Sequence, residues 1–356
     1  METTKTTDGV DHPRRRFLGA AALSVATAEL LLAGSAAAQA MAPIAATTFK
    51  PGTYSSFGPI KQVDAGLLNV AYAEAGPADG PAVVLLHGWP YDIYSFVDVA
   101  PLLAAQGYRV IVPYLRGYGT TSFLSSATRR NAQQSAVGLD IIALMDALKI
   151  QKATVAGFDW GARTADVMAV LWPERCKAIV SVSGYLISSP AGNQTPLPPQ
   201  GASAFWYQYY FATEVGKAGY AKYLDEFNKL IWRQASPKWD FDDATYSRTA
   251  ASFNNPDHVD IVMHDYRWRL GLADGERKYD DFEKRLAALP VVTVPAITME
   301  GDSNGAAHPP STAYRNKFSG KYEYRLIAGG VGHNLPQEAP SAFVQAVIDV
   351  DRWAAA

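Results

Sequence analysis

Gly157-Phe158-Asp159-Trp160-Gly161 concentrates more chemistry than any other segment of this chain. Glycines two positions either side of Asp159 permit a tight turn, which would hold the middle side chain clear of its own backbone. The spacing is that of a G-x-nucleophile-x-G elbow, with Asp where Ser is the usual residue. An aspartate capping the helix that follows is the other reading, and the pentapeptide alone leaves both open. A carboxylate suits displacement at a saturated carbon. A serine would leave an ether there, whereas a carboxylate leaves an ester that an activated water hydrolyses. Such a cycle also needs a base for the water and donors for an oxyanion. His333, in Gly332-His333-Asn334, is the candidate base. Asp302, in Met299-Glu300-Gly301-Asp302, is the candidate acid that orients it, with Glu300 as the runner-up at the strand end. His87-Gly88-Trp89-Pro90 follows an apolar run. The backbone N–H groups of Trp89 and Trp160 are the candidate oxyanion donors.

Residues this far apart must be gathered by the fold. Short apolar runs at 67–75, 82–86, 108–113, 153–158, 178–183, 291–299 and 322–327 read as strands. Helical spacing marks 100–106, 131–148, 161–172, 309–317 and 339–353. Apolar strands alternating with helices predict an α/β fold, its mostly parallel sheet covered on both faces. The rhythm breaks over 184–285, where a Pro/Gly/Ser-rich linker leads into helix and loop crowded with aromatics. The predicted organisation is a core in two parts, 41–183 and 286–356, around a helical cap at 184–285.

From about residue 60 to the C-terminus the chain resembles the α/β-hydrolase superfamily, in which acid and then His follow the nucleophile. Residues 157–161, 87–90 and Tyr114-Leu115-Arg116-Gly117-Tyr118-Gly119 are similar to its epoxide hydrolase and haloalkane dehalogenase branch. Phe205-Trp206-Tyr207-Gln208-Tyr209-Tyr210-Phe211 is similar to the cap segment of soluble epoxide hydrolases, and Asp265-Tyr266-Arg267 to the segment carrying their second tyrosine. The resemblance implies an enzyme that opens an epoxide to a vicinal diol through an aspartyl ester. Asp159 would be the nucleophile and His333, oriented by Asp302, the base. Tyr207 and Tyr266 would bind the epoxide oxygen, and His87, Gly88, Pro90, Phe158 and Trp206 would line the pocket. Its partners would be a small hydrophobic epoxide and water, with no metal or organic cofactor.

The leaving group separates the branch members. Halide departs as a stable anion, but an opening epoxide becomes an alkoxide that needs a proton, which a neutral tyrosine (ordinary pKa about 10) can donate. The alternative is a haloalkane or haloacid dehalogenase using the same Asp159 and His333, since Trp160 also matches a halide-binding position. Trp89, where haloalkane dehalogenases usually carry Asn or Glu, counts against it. So does Gly119, where fluoroacetate dehalogenases carry a second arginine. A non-catalytic binder of hydrophobic ligands has no need of Asp159, Asp302 and His333 together.

Composition narrows the class further. In 356 residues, Lys+Arg 32 against Asp+Glu 34 leaves a net charge of −2, so nothing favours nucleic acid as a partner. One cysteine, Cys176, excludes an intramolecular disulfide, and His264 and His308 lack metal-ligand spacing. Arg14-Arg15-Arg16-Phe17-Leu18, a short apolar stretch and Ala38-Gln39-Ala40 read as a twin-arginine-type export signal over 1–40, predicting a periplasmic or secreted protein. That stretch is too short to span a bilayer and is interrupted by Glu29. Aromatic residues make up 12% of the chain, and many fall in the cap and beside the elbow.

Overall fold

The computed structural model describes residues 44–45 and 50–354; the expected export signal lies outside them. Ten strands form one sheet: β1 (Ile44–Ala45), β2 (Lys61–Ala65), β3 (Leu68–Ala75), β4 (Ala82–Leu86), β5 (Arg109–Pro113), β6 (Ser122–Phe123), β7 (Ala153–Phe158), β8 (Cys176–Val182), β9 (Ala296–Gly301) and β10 (Tyr322–Ala328). Their order is β1-β10-β9-β8-β7-β4-β5-β3-β2, with β6 beside β3. From β1 across to β5 all pairs are parallel, while β3 is antiparallel to both β5 and β2. Every residue of β7 is buried, as a strand covered on both faces requires. The helix Val99–Ala104 packs with Pro340–Trp353, and Gln134–Ala147 with Trp160–Leu171.

Between β8 and β9 the chain runs through the predicted cap, whose helices extend from Pro190–Asn193 to Asp280–Ala287. Leu224–Ala235 is the most clearly amphipathic of them, burying Phe227, Ile231, Trp232 and Ala235 at helical spacing. Two expected elements change. The run at 291–299 becomes strand only from Ala296, because Pro295 has no N–H for the ladder; Val292 makes an isolated bridge to Phe318. The helix expected at 309–317 is two 3-10 turns, Ser311–Ala313 and Arg315–Lys317, behind Pro309 and Pro310.

The site depends on the junction of β7 with the helix Trp160–Leu171. That helix leaves the sheet so closely that a Cβ on Gly161 would overlap the carbonyl oxygen of Leu86, at the end of β4. No rotamer relieves a clash with backbone. Gly161→Ala should therefore lower the denaturation midpoint sharply, by about 1–3 kcal/mol or more. Gly58→Ala, at an exposed position with open space around it, should not. Parallel urea melts of the two variants check this, and equal midpoints would contradict the packing argument.

Candidate active site

Asp159 holds φ 53 and ψ −121, a left-handed backbone that an L-residue adopts only when its surroundings enforce it. Its side chain makes no capping bond to the helix it precedes, so the elbow reading stands and the capping reading falls. The carboxylate points instead toward the loop after β4. There the Trp89 backbone N–H donates to Asp159 Oδ1 at 2.8 Å. Gly88 makes that approach possible, since a Cβ on it would run into the Asp159 side chain. On the other side His333 Nε2 lies 3.5 Å from Asp159 Oδ2. Burial alone would raise the Asp159 carboxyl. His333, Arg163 and the Trp89 amide outweigh it and hold the group below its ordinary value.

Asp159, His333, Trp89, Tyr207 and Tyr266 line one cavity of about 450 Å³. The Tyr207 and Tyr266 rings meet edge to face at 5.4 Å, and both lie 5.1–5.2 Å from the Trp89 ring. Burial first, and then the Asp159 charge, pushes the Tyr207 hydroxyl up to about 12. Burial, with Tyr207 and Asp159 adding to it, raises Tyr266 well above its ordinary value. Both phenols thus stay protonated around neutral pH and can donate. Tyr209, the neighbour that could have taken Tyr207's place, is exposed, and Tyr210 stacks on Phe227.

Asp302 is not brought to His333. It is exposed, and its carboxylate accepts the N–H groups of Gly329 and Gly330 at 3.1 and 2.8 Å. Those glycines have φ 109 and 84 and present consecutive amides, a natural nest for an anion. His333 Nδ1 is buried without a hydrogen-bond partner. The buried Glu300, at the end of β9, has its Oε2 3.3 Å from His308 Nε2, and its Oε1 accepts from the Asn304 side chain at 2.7 Å. Burial raises the Glu300 carboxyl, while His308, Asn304 and His333 oppose that rise.

The expected pocket residues His87, Gly88, Pro90, Phe158 and Trp206 are absent from the cavity wall. His87 is fully buried, with Nδ1 on the Gly88 carbonyl at 3.0 Å and Nε2 accepting from Leu115 N–H, so it braces the oxyanion loop. Burial lowers its ring to about 4, keeping it neutral. Pro90 accepts from the Trp232 indole at 2.7 Å, Phe158 packs between Tyr91, Phe96 and His333, and Trp206 donates to Gln234. Trp160 lies in the helix's first turn, where amides lack intrahelical partners. Its indole is buried against Tyr118 and Tyr266, outside the wall. His264 has both ring nitrogens engaged, by Ala132 N–H and the Asp274 carbonyl. Among the described residues no group of three or more His, Cys, Asp or Glu could hold a metal ion.

Sequence reasoning missed Arg163, Arg269, Glu300's burial and Ser236. Arg163 and Arg269 follow Asp159 and Tyr266 by one helical turn, the one signal that places them nearby. Ser236 carries no such signal. Its hydroxyl accepts the His333 N–H at 2.9 Å and donates to Glu338 at 2.6 Å, while the Ala235 carbonyl also takes the His333 N–H. The end of a cap helix thus fixes the loop that carries His333.

Residues 81–336 match the model of the alpha/beta hydrolase fold family. The chain is 38% identical to Epoxide hydrolase B of Mycobacterium tuberculosis over 159 residues, 41% of this chain and 44% of that protein, so the match spans less than half of that relative. Epoxide hydrolase A of the same organism matches at 25% identity over 320 residues, 81% of this chain and 95% of that protein. A crystal structure from Klebsiella pneumoniae, provisionally named an epoxide hydrolase, is 62% identical, with a TM-score of 0.82 over 82% of this chain and 97% of its own.

Removing the Ser236 hydroxyl leaves the half-buried Glu338 carboxylate short of a donor and weakens the hold on His333. Ser236→Ala should cost about 1–3 kcal/mol in urea denaturation. An unchanged midpoint would show that the cap does not brace this loop.

Proposed function

The chain belongs to the alpha/beta hydrolase fold family, and on that footing we propose that it opens an epoxide to a vicinal diol. The observation that carries this is the cavity in which an ionised carboxylate, a histidine and two protonated tyrosines meet. The names of the relatives, epoxide hydrolases from Mycobacterium tuberculosis among them, support the same reaction.

Asp159 Oδ1 already rests on the Trp89 amide, leaving Oδ2 to attack a ring carbon. As the C–O bond breaks, Tyr207 or Tyr266 gives its proton to the departing alkoxide. The product of this half-reaction is an ester on Asp159. His333 then removes a proton from water, and the hydroxide attacks the ester carbonyl. The Trp89 and Trp160 N–H groups hold the oxyanion. Collapse releases the diol and restores Asp159, and the proton on His333 returns through solvent to the tyrosinate. Halide abstraction by the same Asp159 and His333 is the second reading, favoured by the buried, unpartnered Trp160 indole N–H beside Tyr266. We assign Glu300 the role expected of Asp302: it is buried and within electrostatic reach of His333, with His308 3.3 Å from its Oε2. Export through the N-terminal signal is part of the same proposal, supported by the sequence of residues 1–40.

With styrene oxide or another small epoxide, Asp159→Ala should form no diol. His333→Gln should form the ester and stall, adding the mass of the substrate to the intact protein. Diol formation by Asp159→Ala, or an unmodified mass for His333→Gln after long incubation, contradicts the mechanism.

The acid assignment has its own test in single-turnover kinetics. Glu300→Gln should slow ester hydrolysis by on the order of 10²-fold, with alkylation much less affected. Asp302→Asn should change either step by no more than about twofold, within the scatter expected of an exposed turn residue. The opposite ranking would restore Asp302.

A further inference from the structure

Arg163 and Arg269 both line the cavity, yet the proposed cycle has neither touch the substrate; Arg163 enters it only through its charge on Asp159. Arg163 is buried one turn beyond Asp159, with Nε donating to the Leu186 carbonyl at 3.0 Å. Its nearest carboxylate is Asp265, Nη1 to Oδ1 at 3.7 Å. Arg269 sits one turn beyond Tyr266, its guanidinium carbon 5.5 Å from that ring's centre. It reaches the other oxygen of the same Asp265 at 3.8 Å. Two guanidiniums therefore share one carboxylate, both at distances well beyond a charge-assisted hydrogen bond of about 2.7–2.9 Å. Arg269 Nε and Asp265 Oδ2 are each buried without a hydrogen-bond partner.

Arg116 provides the contrast. More deeply buried than either, it grips Asp140 through two bonds of 2.6 and 2.7 Å and donates to backbone carbonyls besides. That is how this fold satisfies an arginine whose task is to hold structure. The Arg163 and Arg269 pair shares a single carboxylate at long range, leaves Arg269 Nε without a hydrogen-bond partner, and faces the cavity, where Asp159 is the other carboxylate acting on Arg163. Burial and the charge of Arg269 both lower Arg163, so an anion between the two would relieve their repulsion.

We propose that the substrate is an epoxide bearing a carboxylate, held by Arg163 and Arg269 beside the Tyr266 wall of the cavity. This rests on the epoxide-opening reading above. One arginine comes from the nucleophile's helix and the other from that of Tyr266, so the bound carboxylate stands close to the reacting carbon. A planar guanidinium fork matches a carboxylate's two oxygens, and the amide of the same acid offers neither the charge nor two acceptors.

The test compares trans-3-phenylglycidate, 3-phenylglycidamide and styrene oxide on the wild type and on Arg269→Gln. Wild type should favour the acid over its amide by about tenfold or more in kcat/KM. Arg269→Gln should bring that ratio toward one through a rise in KM for the acid. A wild-type ratio near one overturns the proposal. So does an equal fall in kcat on all three compounds, which would mean that Arg269 only tunes the tyrosines. Calorimetry with the unreactive pair 3-phenylpropanoate and 3-phenylpropanamide reads anion binding without turnover. Tighter binding of the carboxylate by about tenfold, lost in Arg269→Gln, supports the anion site even if no epoxide is opened, a result that would sink the hydrolase reading alone. Equal affinities overturn the site.

Discussion

One backbone conformation governs this molecule. At the end of β7, Asp159 is held at φ 53, where an L-residue stays only if the structure around it leaves no alternative. The enforcement is steric. Gly161 lies against the Leu86 carbonyl and Gly88 against the Asp159 side chain, so β4, β7 and the following helix converge within backbone contact. The strain has a geometric return. It lifts the carboxylate off the helix it would otherwise cap and points it at the Trp89 amide and His333.

The second dependence runs between cap and core. The Trp89 ring touches Tyr207, Phe211, Tyr220, Phe227 and Tyr266, all from the cap, and its indole donates to the Tyr220 hydroxyl. Tyr220 in turn meets Asn228 and His258, and His258 meets the Gly117 carbonyl. The residue whose amide holds Asp159 is thus clamped by the element that carries Tyr207 and Tyr266. Ser236 and Ala235 do the same for the His333 loop. Part of the aromatic excess of the composition is this cage. It also shields the two tyrosines, which is why burial is the main cause raising both, while at Asp159 the neighbouring His333, Arg163 and Trp89 amide outweigh burial.

Much of this was legible in the chain because it is local. A turn needs its glycines within two residues of the nucleophile, and a strand covered on both faces needs an unbroken apolar run. Hence β4 and β7 fall on the predicted residues, and Asp159, His333, Trp89, Tyr207 and Tyr266 share the cavity. The pocket wall was not legible, because a neighbour in sequence points elsewhere in space. Phe158, one residue from Asp159, faces the core, and His87, two residues from Trp89, spends both ring nitrogens on the loop.

What the sequence determined by itself is therefore the core of the candidate site: a carboxylate on an elbow, a histidine after the last strand and tyrosines in an inserted cap. The tertiary structure decided which partners those groups have. Asp302 follows Glu300 by two residues, yet the glycine amides after β10 draw it away, while Glu300 stays buried near His333. Arg163, Arg269 and Asp265 meet because two helices distant in sequence cross beside one cavity. Hydrogen bonds and ion pairs form over a few ångströms, and only the folded path of the chain sets which groups come that close.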